Sequence, residues 1–253
     1  MYEIINPLAV SWPVWFGTLG IAFFAGVSKS GLKGLIMIGI PILAGLYGAK
    51  QSTGILLPFL IFGDILAIRL YFKHANYRHM VKMLPYAVVG ILLAVYTGKY
   101  INDKQFTHVM ATVVLVGLAL IVVNDLSKSN ESILKHKAIS PIFGMGGGFA
   151  TMIGNMAGPI FSLYLLTLRL PKKEFIGTGA MFYLTLNLFK LPFHFVSWGT
   201  MTWQSLWMNV VMLPVLLLGF VAGSRIVRYI PEKLYRHLIL LVTSISAIML
   251  YWK

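Results

Sequence analysis

The side chains able to do chemistry in this chain are few, and most sit in apolar surroundings. Lys29 and Lys33, within Ser28-Lys29-Ser30-Gly31-Leu32-Lys33, are spaced i, i+4, which puts two ammonium groups on one face of a helix. Asp64 is the one carboxylate well inside an apolar stretch, since Glu3, Asp103, Asp125, Glu131, Glu174 and Glu232 lie at ends or between stretches. Asn187 and Lys190 share another stretch, and Gly144-Met145-Gly146-Gly147-Gly148 leads through Thr151 to Asn155. Together these types suit a small oxyanion. Lysines neutralise it, and Ser28, Ser30, Thr151 and Asn155 can donate hydrogen bonds. Glycines such as Gly31, Gly146, Gly147 and Gly148 let it approach the amides of a helix N-terminus, where roughly half a positive charge resides. Plainer readings stand beside each. The glycines also allow close helix packing, Lys29 and Lys33 also serve as interfacial anchors, and Arg69 and Lys190 can run their stems to opposite interfaces. Asp64 is either a coupling or gating group or a carboxyl held by its neighbours, with Asn187 as its counterpart and Lys190 as a further gating candidate.

Other chemistry is missing from the sequence. There is no Cys, which removes disulfides, thiolate nucleophiles, Cys-ligated zinc and iron–sulfur clusters. Neither HExxH nor a phosphate-cradling GxxxxGK occurs, and no carboxylates are paired. Of six His, only His194 approaches the interior of an apolar stretch. No enzyme activity, metal or cofactor is expected.

The elements that must position these residues follow from composition. Of 253 residues, 58% are hydrophobic and 11% charged, with a mean hydropathy of +0.81. A soluble domain carries about 25% charged residues, so the solvent is a bilayer. Ten apolar stretches, 12–28, 33–48, 54–72, 80–98, 105–124, 138–153, 156–168, 174–197, 205–224 and 234–252, predict an all-α polytopic membrane protein of about ten transmembrane or re-entrant helices. The first two stretches and the sixth and seventh are short, so each pair either crosses tilted or returns as a hairpin. With ten crossings, one face gathers Lys29, Lys33, Arg69, Lys73, Arg78, Lys82, Lys128, Lys135, Lys137, Arg169, Lys172, Lys173, Arg225, Arg228, Lys233 and Arg236, while the other receives Lys50, Lys99, Lys104 and Lys253. Basic loops stay cytoplasmic, so both termini are expected outside, in the inner membrane of a cell. The six tryptophans, Trp12, Trp15, Trp198, Trp203, Trp207 and Trp252, then all fall at the outer end, where indoles favour the headgroup level. The net charge of +14 is read as these anchors beside anionic lipid rather than as a nucleic-acid surface.

The halves also overlay. An offset of 118 lays Gly26, Pro41 and Ile42 on Gly144, Pro159 and Ile160; an offset of 129 lays Leu84-Pro85 on Leu213-Pro214 and Gly90 on Gly219; an offset of 123 lays Gly54 on Gly177 and Asp64 on Asn187. Five segments per half is an odd number, so the repeats are inverted relative to each other. Residues 1–124 form the first repeat, 125–137 a cytoplasmic linker and 138–253 the second repeat.

Gly144-Met145-Gly146-Gly147-Gly148, then Pro159, then Gly177-Thr178-Gly179 resemble the GxGGG, proline and G-T pattern of the TauE/SafE family of sulfite and organosulfonate exporters, over nearly the whole chain. The first half carries Gly26-Val27-Ser28-Lys29-Ser30-Gly31-Leu32-Lys33-Gly34 where members often repeat a glycine cluster. The resemblance implies a secondary transporter of sulfite, an organosulfonate or a related sulfur anion, exporting by alternating access at a midplane site. Import of another anion such as thiosulfate is the alternative within transport, and a membrane-embedded enzyme the alternative outside it. Its partners are then a small anion and membrane lipid, with a homodimer left open.

Overall fold

The computed structural model describes residues 6–32, 35–102, 104–109, 112, 139–156, 158, 160, 161, 164, 165, 168, 170–231, 234, 237, 238 and 241. Among them all regular structure is helical, and it includes α1 Trp12–Lys29, α2 Ile36–Tyr47, α3 Ala49–Tyr71, α4 Tyr77–Thr97, α5 Ile139–Gly154, α6 Lys172–Pro192 and α7 Trp203–Tyr229. A 3-10 turn, Phe72–His74, closes α3, and a π-helical turn, Phe193–Ser197, closes α6. These helices fall on seven of the ten apolar stretches. The stretches 105–124 and 234–252 lie largely outside the described residues, as do part of 156–168, Lys33, Pro159 and the linker 125–137.

Local rules explain where the helices stop. Ser11 is extended before α1, and Pro13 occupies the first turn, where its missing N–H costs nothing. Gly48, at φ 86°, ends α2 and starts α3, a conformation in which a side chain would be strained. Thr202 and Ser205 exchange hydrogen bonds in a capping box that begins α7. Pro58, Pro85 and Pro214 lie inside α3, α4 and α7, as membrane helices tolerate when neighbours satisfy the freed carbonyls.

Three helical segments, Ala49–His74, Met80–Thr97 and Trp203–Tyr229, are long and apolar enough to cross a membrane. They divide into one central and two peripheral spans: the first is 61% buried over its most apolar window and the others 33%. On α4 the division is visible residue by residue. Met83, Ala87, Ile91 and Ala94 are fully buried, whereas Val81, Val89, Leu92, Leu93 and Tyr96 are exposed. An outward face so apolar would aggregate in water and is at home in lipid.

The helices pair in a regular way: α1 lies on α7, α4 on α5, and α3 on α6. Backbones nearly touch at the first two crossings. A Cβ on Gly26 would strike the Leu216 carbonyl and one on Gly219 the Phe23 carbonyl; likewise Gly90 faces the Met145 carbonyl and Gly148 that of Ala87. Small residues at such crossings let van der Waals contact do what the hydrophobic effect cannot do in lipid.

Candidate functional site

Two buried polar side chains meet where α3 and α6 cross. Asp64, on α3, and Asn187, on α6, lie 123 positions apart and meet directly: Asn187 Nδ2 donates to Asp64 Oδ2 at 2.9 Å. Lys29, the last residue of α1, reaches the same carboxylate, with Nζ 2.7 Å from Oδ1. Gly63 makes this reach possible, because a Cβ there would lie 2.8 Å from Cβ and 2.6 Å from Cγ of Lys29. The ammonium also stands over the Tyr183 ring, 5.0 Å from its centroid, a favourable placement for a cation. Its exposure differs from that of its partner: 13% for the Lys29 side chain against 1% for Asp64.

Lys190 lies one turn beyond Asn187 on α6 and is wholly buried. It does not run to an interface, as its stem length would permit, because acceptors surround it. Its Nζ donates to the Thr151 carbonyl at 2.9 Å, to Thr151 Oγ1 at 2.9 Å and to Asn155 Oδ1 at 2.7 Å. Three acceptors match the three protons of an ammonium. They exist because α5 ends there. Asn155 adopts φ 56°, the left-handed conformation that Asn tolerates better than most residues; its N–H bonds back to the Thr151 carbonyl, and its Nδ2 donates to the Thr53 carbonyl of α3 at 2.8 Å. Arg69, by contrast, is exposed.

The other sequence candidates are placed apart from these two lysines' hydrogen bonds. Ser28 and Ser30 are buried, and Ser30 Oγ donates to the Val27 carbonyl within its own turn. Gly31, at φ 141°, faces Ile176 and Val227. Gly144 and Gly148 abut α4, Gly147 lies near Ile160, and Gly146 faces open space.

Sequence reasoning did not single out Gly63, Tyr183, Thr53 or the surroundings of His194. His194 sits in the π-turn and is fully buried; its Nδ1 is 2.8 Å from Thr200 Oγ1. The available signals were the Gly63-Asp64 adjacency and the i, i+4 spacing of Lys190 and His194.

Charge bookkeeping gives the site its character. Lys29 and Asp64 form an ion pair, and Lys190 adds a second basic group, hydrogen-bonded to neutral oxygens. Burying an ion costs several kcal/mol after relaxation, and in a bilayer such groups mark substrate or ion pathways. Among the described residues no cluster of His, Asp or Glu could hold a metal ion.

Comparison with known families finds a match to the model described as sulfite exporter TauE/SafE, over residues 18–250. No curated protein and no solved structure matches the chain. The match spans nearly the whole sequence and agrees with apolar helices that bury lysines and a carboxylate: the chain belongs to the sulfite exporter TauE/SafE family of membrane transporters.

Proposed function

We propose that this chain is a secondary transporter that exports a small sulfur oxyanion, sulfite or an organosulfonate, across the inner membrane by alternating access. The carrying observation is the interior cluster of two lysines and one carboxylate between α1, α3, α5 and α6. Two basic groups against one carboxylate suit an anion. Lys29 is the substrate-facing cation: among the described residues its ammonium makes one hydrogen bond, to Asp64, and rests on an aromatic face, which leaves donor capacity for an oxygen of the ligand. Asp64 holds Lys29 when no anion is bound and releases it when one is, which makes the carboxylate a gate. Lys190, Thr151 and Asn155 form the wall of the site and tie α5 to α6.

The mechanism rests on an inverted repeat, 1–124 and 138–253, joined by an inner linker at 125–137. The helix pairing supports this reading. The first segment of each half packs on the fourth of the other, as α1 with α7 and α5 with α4, while the third segments, α3 and α6, pack on each other. Asp64 and Asn187, equivalent at the 123 offset, bond to one another, as residues on a two-fold axis do. Rocking one half against the other around that axis would expose the cluster to alternate sides. Export of a monoanion from a cell that is negative inside is favoured by about 2.3 kcal/mol per 100 mV, so no second ion is required for that direction.

The test is flux. Purified protein in liposomes should move labelled sulfite, chemically unaltered, down an imposed potential. Failure to move sulfite, organosulfonates or thiosulfate removes the transport reading. Orientation is tested separately by a single cysteine at Ser129 in the otherwise Cys-free chain. An impermeant reagent should leave it unlabelled in intact cells, and labelling there reverses the topology.

A further inference from the structure

Two buried side-chain atoms among the described residues have no hydrogen-bond partner: His194 Nε2 and Asn209 Oδ1. The amide oxygen can only accept, so it would repel an anion; the imidazole nitrogen can donate. The rest of His194 is fixed. Its carbonyl receives N–H bonds from Thr200 at 3.0 Å and Met201 at 3.3 Å, its Nδ1 pairs with Thr200 Oγ1, and its ring packs edge-on to Trp198 with centroids 5.5 Å apart. The π-turn that carries it, closed by Trp198 N–H on the Phe193 carbonyl, sets the ring one turn beyond Lys190. Insertions of this kind in α-helices are frequent at functional sites. A rigidly held ring whose buried nitrogen has no partner carries an unmet desolvation cost that a ligand would repay.

We propose that Nε2 of His194 is a hydrogen-bond donor to the transported oxyanion, at a station beyond Lys190 on the same helix. The assignment rests on the transport reading above. With the Thr200 hydroxyl donating to Nδ1, the ring carries its proton on Nε2 and presents it to the anion. A purely structural His194 would need only its Nδ1, to hold the turn against Thr200. The two roles use different nitrogens, and two substitutions separate them: the amide of Gln reaches about where Nε2 stands, and that of Asn about where Nδ1 stands.

The experiment measures labelled sulfite uptake and sulfite-induced melting shifts for the unaltered protein, His194→Gln and His194→Asn in one liposome or detergent preparation. The expected result is that His194→Gln retains sulfite affinity within about threefold, while His194→Asn loses about tenfold or more, the usual worth of a hydrogen bond to a charged group. Equal affinities, or better binding by His194→Asn, overturn the assignment while leaving transport intact. Absence of uptake by the unaltered protein overturns the transport reading itself and the assignment with it. Should neither variant fold, a chain with the five other histidines changed to Gln and isotopically labelled histidine gives a direct readout. Its Nε2 resonance should shift with sulfite and not with chloride, and an unmoved signal overturns the proposal.

Discussion

The two interior lysines, Lys190 buried and Lys29 partly so, meet opposite fates. Lys190 is enclosed by three neutral oxygens that match its protons one for one, at the end of a helix whose last carbonyls carry partial negative charge. Lys29 has a single carboxylate, an aromatic face and a partly open side. A saturated ammonium fixes structure, whereas an unsaturated one can exchange partners. Which lysine serves stability and which serves the ligand is therefore read from valence rather than from depth.

The largest effect that could break this contrast is on stability. Lys190→Met should strand Thr151 Oγ1 and Asn155 Oδ1 without their donor and leave the Thr151 carbonyl with the Asn155 N–H alone, and unsatisfied buried acceptors cost about 1–3 kcal/mol each. A loss of about 3 kcal/mol would lower the melting temperature by roughly 6–12 °C for a chain of this size. Differential scanning fluorimetry in detergent measures it, and a melt within about 2 °C of the unaltered protein would end the distinction between the lysines.

Lys29→Met should show the reverse profile. Asp64 can take up a proton where it would otherwise be an unpaired buried charge, so the melt should fall less than for Lys190→Met. Sulfite binding, however, should weaken by about 10–100-fold, the value of one charge-assisted hydrogen bond. Calorimetric titration or flux reads this. Wild-type transport by a well-folded Lys29→Met protein would take Lys29 out of the site. Asp64→Asn sharpens the same point from the other side: with its intramolecular competitor gone, Lys29 should bind sulfite more tightly, by about tenfold, and release it more slowly. Weaker binding would show that Asp64 positions Lys29 rather than competing for it.

Much of this site was legible in the sequence, and the missing parts share a physical cause. Asp64 and Asn187 could be matched because an internal offset is a property of the string, and their types marked them as out of place in apolar helices. The described helices follow the apolar runs, because hydrocarbon forces each spanning backbone to satisfy itself. The partner of Lys29 could not be read in the same way. Spacing pairs it with Lys33, but its contact is with Asp64, 35 positions away, and that depends on how α1 crosses α3. Lys190 has a stem long enough to reach an interface; what keeps it inside is the left-handed Asn155 at the end of another helix. A π-turn shifts one hydrogen bond in register and leaves no periodic trace, so His194 looked like an ordinary interior residue.

Gly63→Ala probes the crossing itself, with a smaller expected effect. The new methyl would sit against Cβ and Cγ of Lys29, atoms too near the backbone to swing aside. Overpacking of this kind costs about 1–3 kcal/mol, and the relief open to it is a small separation of α1 from α3, which carries the ammonium away from Asp64. Sulfite affinity should then fall by several-fold, less than for Lys29→Met, with a modest drop in the melt. An unchanged affinity would mean that the ligand does not depend on where Lys29 is held.

The smallest effect belongs to the glycine run on α5, and it separates packing from ligand contact. Gly148 is pressed on the Ala87 carbonyl and any side chain there must part α4 from α5, so its substitution reports only damage. Gly146 is the informative position, because among the described residues nothing lies within 4 Å of a Cβ placed on it. Gly146→Ala should therefore raise stability slightly, by up to about 1 kcal/mol, since alanine loses less conformational freedom in a helix. Flux should stay at the unaltered rate if the anion is held by the lysine and histidine side chains. A Gly146→Ala protein that melts normally yet binds sulfite poorly would place the ligand against the α5 backbone, because one methyl in otherwise open space can obstruct only what enters that space.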